Sequence, residues 1–277
     1  MDFSLLAEHP LYAATGLAYL GAFVCYALVW ASTNATFGKV GTGLMAVAVA
    51  GNAGLIVARW IEAQRPPFQS LFESLVFLAF CIAAVYLGYE RIHRTRVFGV
   101  AAAAGAFGML LVALAKWEAE IVRLPPALQS GWFIPHVAAY FFGYAALFMA
   151  TAFSIVQLFK PTLTARAETP QRGPISVEDL AYKTIRLGFV LLTFGLLVGA
   201  VWAKSAWGDY WFWDPKENWA LVSWLVYASY LHLRHVKGWR GNRVAWLSIA
   251  GFAVVMFTYL GMELLPTAAE SAHVYAN

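Results

Sequence analysis

The stretch WGDYWFWDPKENW, Trp207 to Trp219, lies between two long apolar runs, and its reading decides the fold. Each run, 184–204 before it and 216–235 after it, is long enough to cross a hydrocarbon layer of ~30 Å at 1.5 Å per helical residue. The loop that joins them, 205–219, which overlaps the first residues of the second run, is therefore expected at a membrane surface. Trp207, Trp211, Trp213 and Trp219 stand there with Tyr210 and Phe212, and Asp209, Asp214, Lys216 and Glu217 are threaded among them. Large rings with few rotamers make a broad contact surface at small entropic cost, which suits a wide, flat, apolar ligand. Any one of these tryptophans also fits an interfacial anchor, because indole collects at headgroup depth. An aromatic belt needs one or two rings per helix end, however, and four tryptophans crowd this loop. Asp214, Pro215 and Glu217 read equally well as a helix start, with Asp at N-cap, Pro at N1 and Glu at N3.

Working outward, the chain is 61% hydrophobic and 12% charged, against roughly 25% charged in soluble domains. The expected fold is all-α: a polytopic membrane bundle of about eight helices at 11–31, 40–60, 71–90, 97–115, 133–158, 184–204, 216–235 and 244–262, forming one integral membrane domain over 1–277. Ser70 and Glu73 read as a capping box opening the third helix. The connection at 159–183, rich in Thr, Pro, Gly, Arg and Glu, reads as a flexible linker and the one plausible seam. With both termini on the outer side, thirteen lysines and arginines fall inside and six outside, so the positive-inside rule favours that orientation. The net charge of +4 is explained by this topology; no basic run suggests nucleic acid. Cys25 and Cys81 lie apart in apolar segments and read as small hydrophobes. The acidic N-terminus lacks the cationic region of a signal peptide, so the first apolar segment is expected to remain.

The pattern W-G-x-x-W-x-W-D-x-x-E-x-W resembles the tryptophan-rich signature of haem-handling proteins of cytochrome c maturation, and within them the CcsA/ResC family. The likeness is strong from about His136 to His273 and diffuse before it. It implies haem b as the bound ligand, a CcsB/ResB-type membrane partner, and apocytochrome c with its C-x-x-C-H thiols as the acceptor. No region resembles that partner, so a separate subunit is expected. The resemblance also implies a bacterial cytoplasmic or thylakoid membrane.

Six histidines sort by depth. His136 lies at the outer end of the fifth helix, with Pro135 fitting N1, where the positive helix end disfavours imidazolium. His273 lies in the outer tail, on the side of the tryptophan loop. An aromatic platform with one histidine from each flank is what a haem with two axial ligands needs. The resemblance places external haem ligands at matching positions, so His136 and His273 are the expected axial pair. His232 falls in the inner half of the seventh helix, where ionisable side chains are costly and usually face the bundle interior. Its setting resembles the family's intramembrane histidine and implies a possible inner haem ligand; a histidine bonded within the core is the plainer alternative. His235 and His93 read as inner-surface residues, and His9 as a weak outer candidate.

The expected function is to carry haem to the outer face and present it, with the partner, for thioether attachment, as one part of a cytochrome c synthetase. The expected contact set is His136, His273, His232, Trp207, Trp211, Trp213, Asp214 and Trp219. A haem exporter of the CcmC type is the nearest alternative, though such a chain is shorter with its loop nearer the middle. A transporter of another solute with an aromatic gate is the alternative from a different class.

Overall fold

The computed structural model describes residues 9–32, 34–115, 121, 125–165 and 174–261. Among these, eight α-helices follow in order: α1 Pro10–Ala31, α2 Ala35–Ala63, α3 Leu71–His93, α4 Gly99–Ala115, α5 Phe133–Phe159, α6 Val177–Trp207, α7 Pro215–His235 and α8 Asn242–Tyr259. A single 3-10 turn, Pro126–Leu128, precedes α5, and two-residue strands at Thr164–Ala165 and Ile175–Ser176 flank the connection before α6. The all-α polytopic fold is as the composition requires. Six of the eight helices are long and apolar enough to span a bilayer; α4, at 17 residues, is shorter, and α7 has the length but not the hydropathy.

The helices gather into two compact units, α1–α4 and α5–α8, dividing at Val122–Arg123. The one-domain reading of the sequence does not separate them, because both units share the same apolar composition.

In the first unit, Tyr12, Tyr19 and Tyr26 recur every seven residues along one buried face of α1. The Tyr19 hydroxyl and the Asn52 amide of α2 hydrogen-bond at 3.1 Å, satisfying polar groups that would be costly in an apolar core. Gly99 admits the Tyr26 ring, since a Cβ there would lie 2.5 Å from Tyr26 Cγ. The capping box at Ser70 and Glu73 is formed, and the Glu73 carboxylate does more than cap. Arg65 grips it with both terminal nitrogens at 2.9 and 3.1 Å, Arg59 Nε adds a contact at 3.1 Å, and the Gln69 N–H donates at 2.9 Å.

In the second unit, α5 and α6 pack through small residues. A Cβ at Gly188 would meet Leu147 at 2.7 Å, and one at Gly195 would meet Tyr140 at 2.8 Å; glycines here let two backbones approach closely. α6 begins at Val177, seven residues before the apolar run expected at 184. The Ser176 side chain accepts from Asp179 N–H at 3.0 Å, and Glu178 and Asp179 sit in the positive first turn. The apolar run marks where lipid would begin; the cap marks where the helix does. Arg234, near the end of α7 and 2% exposed, pairs with Glu178 and with Asp179 at 2.9 Å and lies over the Tyr182 ring. Glu178 also accepts from Gly241 N–H at 2.9 Å, so this network around the buried Arg234 fixes the α6 start, the α7 end and the turn into α8.

Candidate functional site: an aromatic loop over a pinned histidine

The loop between α6 and α7 starts where Trp207 ends α6 and Gly208 takes a left-handed backbone, φ 95°, donating its N–H to Lys204 carbonyl at 3.1 Å. Lys204 Nζ then donates to Gly208 carbonyl at 2.6 Å and sits 5.5 Å above the Tyr210 ring. At the other end Asp214 caps α7, accepting from Lys216 N–H at 2.8 Å. Glu217 reaches back to accept from the Phe212 and Asp214 N–H groups at 2.9 and 3.2 Å. The helix-start reading of Asp214 and Glu217 is thus satisfied by geometry, and the same carboxylates shape the loop.

Between these anchors the rings spread outward. Trp213 is 69% exposed, and Tyr210 and Phe212 are also exposed. Trp211 and Trp213 meet edge to face at 6.0 Å. Trp213 holds φ 57°, a left-handed conformation that bulky residues rarely adopt, and Asn218 Nδ2 clamps its carbonyl at 2.8 Å. The Trp211 indole N–H is buried and finds no acceptor among the described residues. Trp219, at the start of the second turn of α7, packs on Phe257 of α8 at 4.4 Å, so it braces the loop rather than forming its open surface.

His136 lies in the first turn of α5, which begins at Phe133 as expected, so Pro135 stands at the third helical position rather than at N1. Its Nδ1 is 2.9 Å from the Gly195 carbonyl of α6. A carbonyl only accepts, so Nδ1 carries a proton, and in the neutral form of the ring this tautomer puts the lone pair on Nε2. Gly199 makes room for the imidazole, because a Cβ there would stand 2.5 Å from both Cε1 and Nδ1. Tyr140 and Trp202 flank the ring at 5.0 and 5.4 Å. Trp202, 2% exposed, in turn meets Trp207 at 4.8 Å, and Trp207 meets Phe212 at 6.4 Å. A continuous run of ring contacts therefore joins His136 to the loop. Trp202, Gly195 and Gly199 were not singled out from sequence; the one available signal was a tryptophan five residues before Trp207.

The remaining candidates separate. His273 lies outside the described residues. His232 is exposed, in the last turn of α7, on a face with Val222, Leu225 and Ser229. The expectation that its side chain faces the bundle interior is corrected: Arg234 takes the buried position, drawn in by Glu178 and Asp179. His235 is exposed, as expected, and His9 is exposed just ahead of α1. Chemically, the site offers an exposed cluster of aromatic rings, an imidazole held through Nδ1 by the Gly195 carbonyl, and a buried indole N–H in want of an acceptor. These suit a large planar ligand carrying a metal and a polar edge.

The sequence pattern of the cytochrome C assembly protein family matches residues 68–269. A protein named cytochrome c biogenesis protein CcsA from Microcystis aeruginosa is 38% identical, with 89% of this chain and 92% of that protein covered. The CcsA of Gloeobacter violaceus is 33% identical over 93% of this chain and 94% of its own length. Among solved structures, one named cytochrome c heme lyase CcmF superposes with a TM-score of 0.66 at 16% identity, which is a likeness of fold. It covers 98% of this chain, which spans about half, 52%, of that longer protein.

Proposed function

The chain belongs to the cytochrome c assembly protein family, an integral membrane branch of cytochrome c maturation, and from that membership we propose that it holds haem at the outer membrane face and presents it for attachment to apocytochrome c. The observation that carries this reading is the run of rings from His136 through Trp202 and Trp207 to the exposed loop. His136 Nε2 is the proposed axial donor, with its basicity and orientation set by the Nδ1–H bond to Gly195, the usual second-shell arrangement of a ligating histidine. His273 is the proposed second axial ligand. The exposed Trp213, Phe212 and Tyr210 cover the porphyrin plane and exclude water, and the Trp211 N–H supplies a donor for a polar edge.

Bound haem b supplies the vinyl groups to which the C-x-x-C-H thiols add, S–H across C=C. This chain's contribution is orientation and shielding. Asp214 and Glu217 hold the loop in shape. His232, exposed on α7, is the proposed ligand of an inner haem site shared with a CcsB/ResB-type partner helix. Both termini lie on the outer side in this reading, with the tryptophan loop.

The test is the visible spectrum of the chain purified with its partner. His136→Gly should lower haem retention or allow oxidation, and added imidazole should restore a reduced, six-coordinate spectrum. A His136→Gly protein with an unchanged spectrum would remove the ligand assignment.

A further inference from the structure

We propose that the corner where α3 turns into α4 is a binding site for a phosphate-bearing anion, and that the group it takes is the headgroup of an anionic lipid. A cavity of about 890 Å3 opens there, lined by Thr42 of α2, Glu90, Arg91 and Ile92 of α3, and Arg94 and Arg96 of the turn. It lies wholly within the first unit, at the opposite helix ends from Glu73.

Its charge is unbalanced. Glu90 is the acidic residue of the lining, and it is already engaged: it accepts from the Tyr26 hydroxyl at 2.7 Å, from Thr42, and from Arg96 Nε at 3.0 Å. Three guanidinium groups against one carboxylate leave two positive charges. Arg91 and Arg94 are exposed, and among the described residues neither pairs with an acid. The engaged Arg96–Glu90–Thr42 set forms a fixed floor, while Arg91 and Arg94 stand at the rim. Arg94 holds φ 46° at the C-cap of α3, a position that glycine or asparagine fills with least strain. The backbone thus keeps a strained arginine at the cavity mouth.

Depth identifies the anion. Trp30, in the last turn of α1, is exposed and donates its indole N–H to Val97 carbonyl at 2.8 Å, one residue past Arg96. An indole so placed marks the headgroup layer, where the anions at hand are lipid phosphates. Basic pockets at this level between membrane helices take doubly charged headgroups. The exposed Ile92 beside the rim offers an apolar wall to the glycerol backbone. This site rests on none of the haem reading.

The experiment is native mass spectrometry of the full chain released from detergent, offered cardiolipin, phosphatidic acid, phosphatidylcholine or inorganic phosphate. The protein should retain cardiolipin or phosphatidic acid in preference to phosphatidylcholine. Arg91→Gln should weaken that retention about fivefold, and Arg91→Gln with Arg94→Asn about 25-fold, in line with the usual contribution of each basic group near a membrane surface. Asparagine tolerates the left-handed backbone, and Arg91→Gln alone changes only an exposed helical position, so folding is preserved. Lys183→Gln, an exposed cation elsewhere, should change nothing. Arginine-dependent binding of inorganic phosphate without lipid retention would assign the site to phosphate from solution. Equal retention of phosphatidylcholine, or anionic-lipid retention untouched by the double variant, overturns the proposal.

Discussion

At the scale of single residues, the most constrained group is His136. Its ring occupies a slot that exists because Gly199 of α6 lacks a side chain, and it is held there by the Gly195 carbonyl. Gly199→Ala sets two effects against each other. Alanine favours a helix interior by about 0.5–1 kcal/mol over glycine, but here its methyl would overlap the imidazole. The expected outcome is a helix of undiminished ellipticity with clearly reduced haem content, read from circular dichroism and the visible spectrum of one preparation; full haem content would show that the ring has another home. Glu73 tests a different principle. Its carboxylate is fully buried among two arginines and two backbone donors, so Glu73→Gln should destabilise the first unit by about 3–5 kcal/mol, the usual result of removing one partner from a buried pair. A melting temperature like that of the parent protein would contradict this. Sequence spacing reveals the cap at Glu73 but not the arginines, because Arg59 and Arg65 reach it across a turn whose path no local pattern encodes.

At the scale of elements, the loop and α7 form one device. Asp214 was read both as a cap and as a haem contact. The capping geometry is present, and two substitutions separate the roles. Asp214→Ala should cost about 1 kcal/mol of helix stability, loosen the loop and reduce haem retention. Asp214→Asn keeps a capping oxygen without charge and should retain haem nearly as the parent does, by titration followed in the Soret band. Equal loss in both variants would mean that the charge itself matters. Helix existence was legible throughout, since each apolar run has the length and spacing of a membrane helix. Helix ends are legible where the apolar run itself ends, as at Phe133, or where a cap abuts it, as at Ser70 and Asp214; the Ser176 cap lies ahead of a polar first turn that resembles linker. The burial of Arg234 in place of His232 was not legible, since the choice depends on acids 55 residues away.

At the scale of the whole chain, the charge distribution makes a prediction that needs no ligand. The positive-inside rule, applied to thirteen basic residues on one side and six on the other, predicts that both termini lie outside. Alkaline phosphatase fused after Asn277 should therefore be active in a bacterial host, and the same reporter placed after Arg172 should be silent; the reverse pattern would invert the topology. The membrane class and the aromatic loop were open to reading because composition and spacing are properties of the chain itself. The division into two helical sets was not, because each is equally greasy and nothing in hydropathy distinguishes which helices choose one another.

The modest hydropathy of α7 has a consequence for how the protein is made. This helix carries Lys216, Glu217 and Asn218 at one end and His232, Arg234 and His235 at the other, and charged residues raise the cost of leaving the translocon for lipid. Emerging alone from the ribosome, it would linger at the bilayer surface. Only when α8 follows, with Thr258 ready to meet Ser223, does it have company that makes immersion favourable. A cysteine placed at Ser229 should accordingly react with a water-soluble maleimide in a nascent chain halted after His235, and be shielded in one extended through Tyr259.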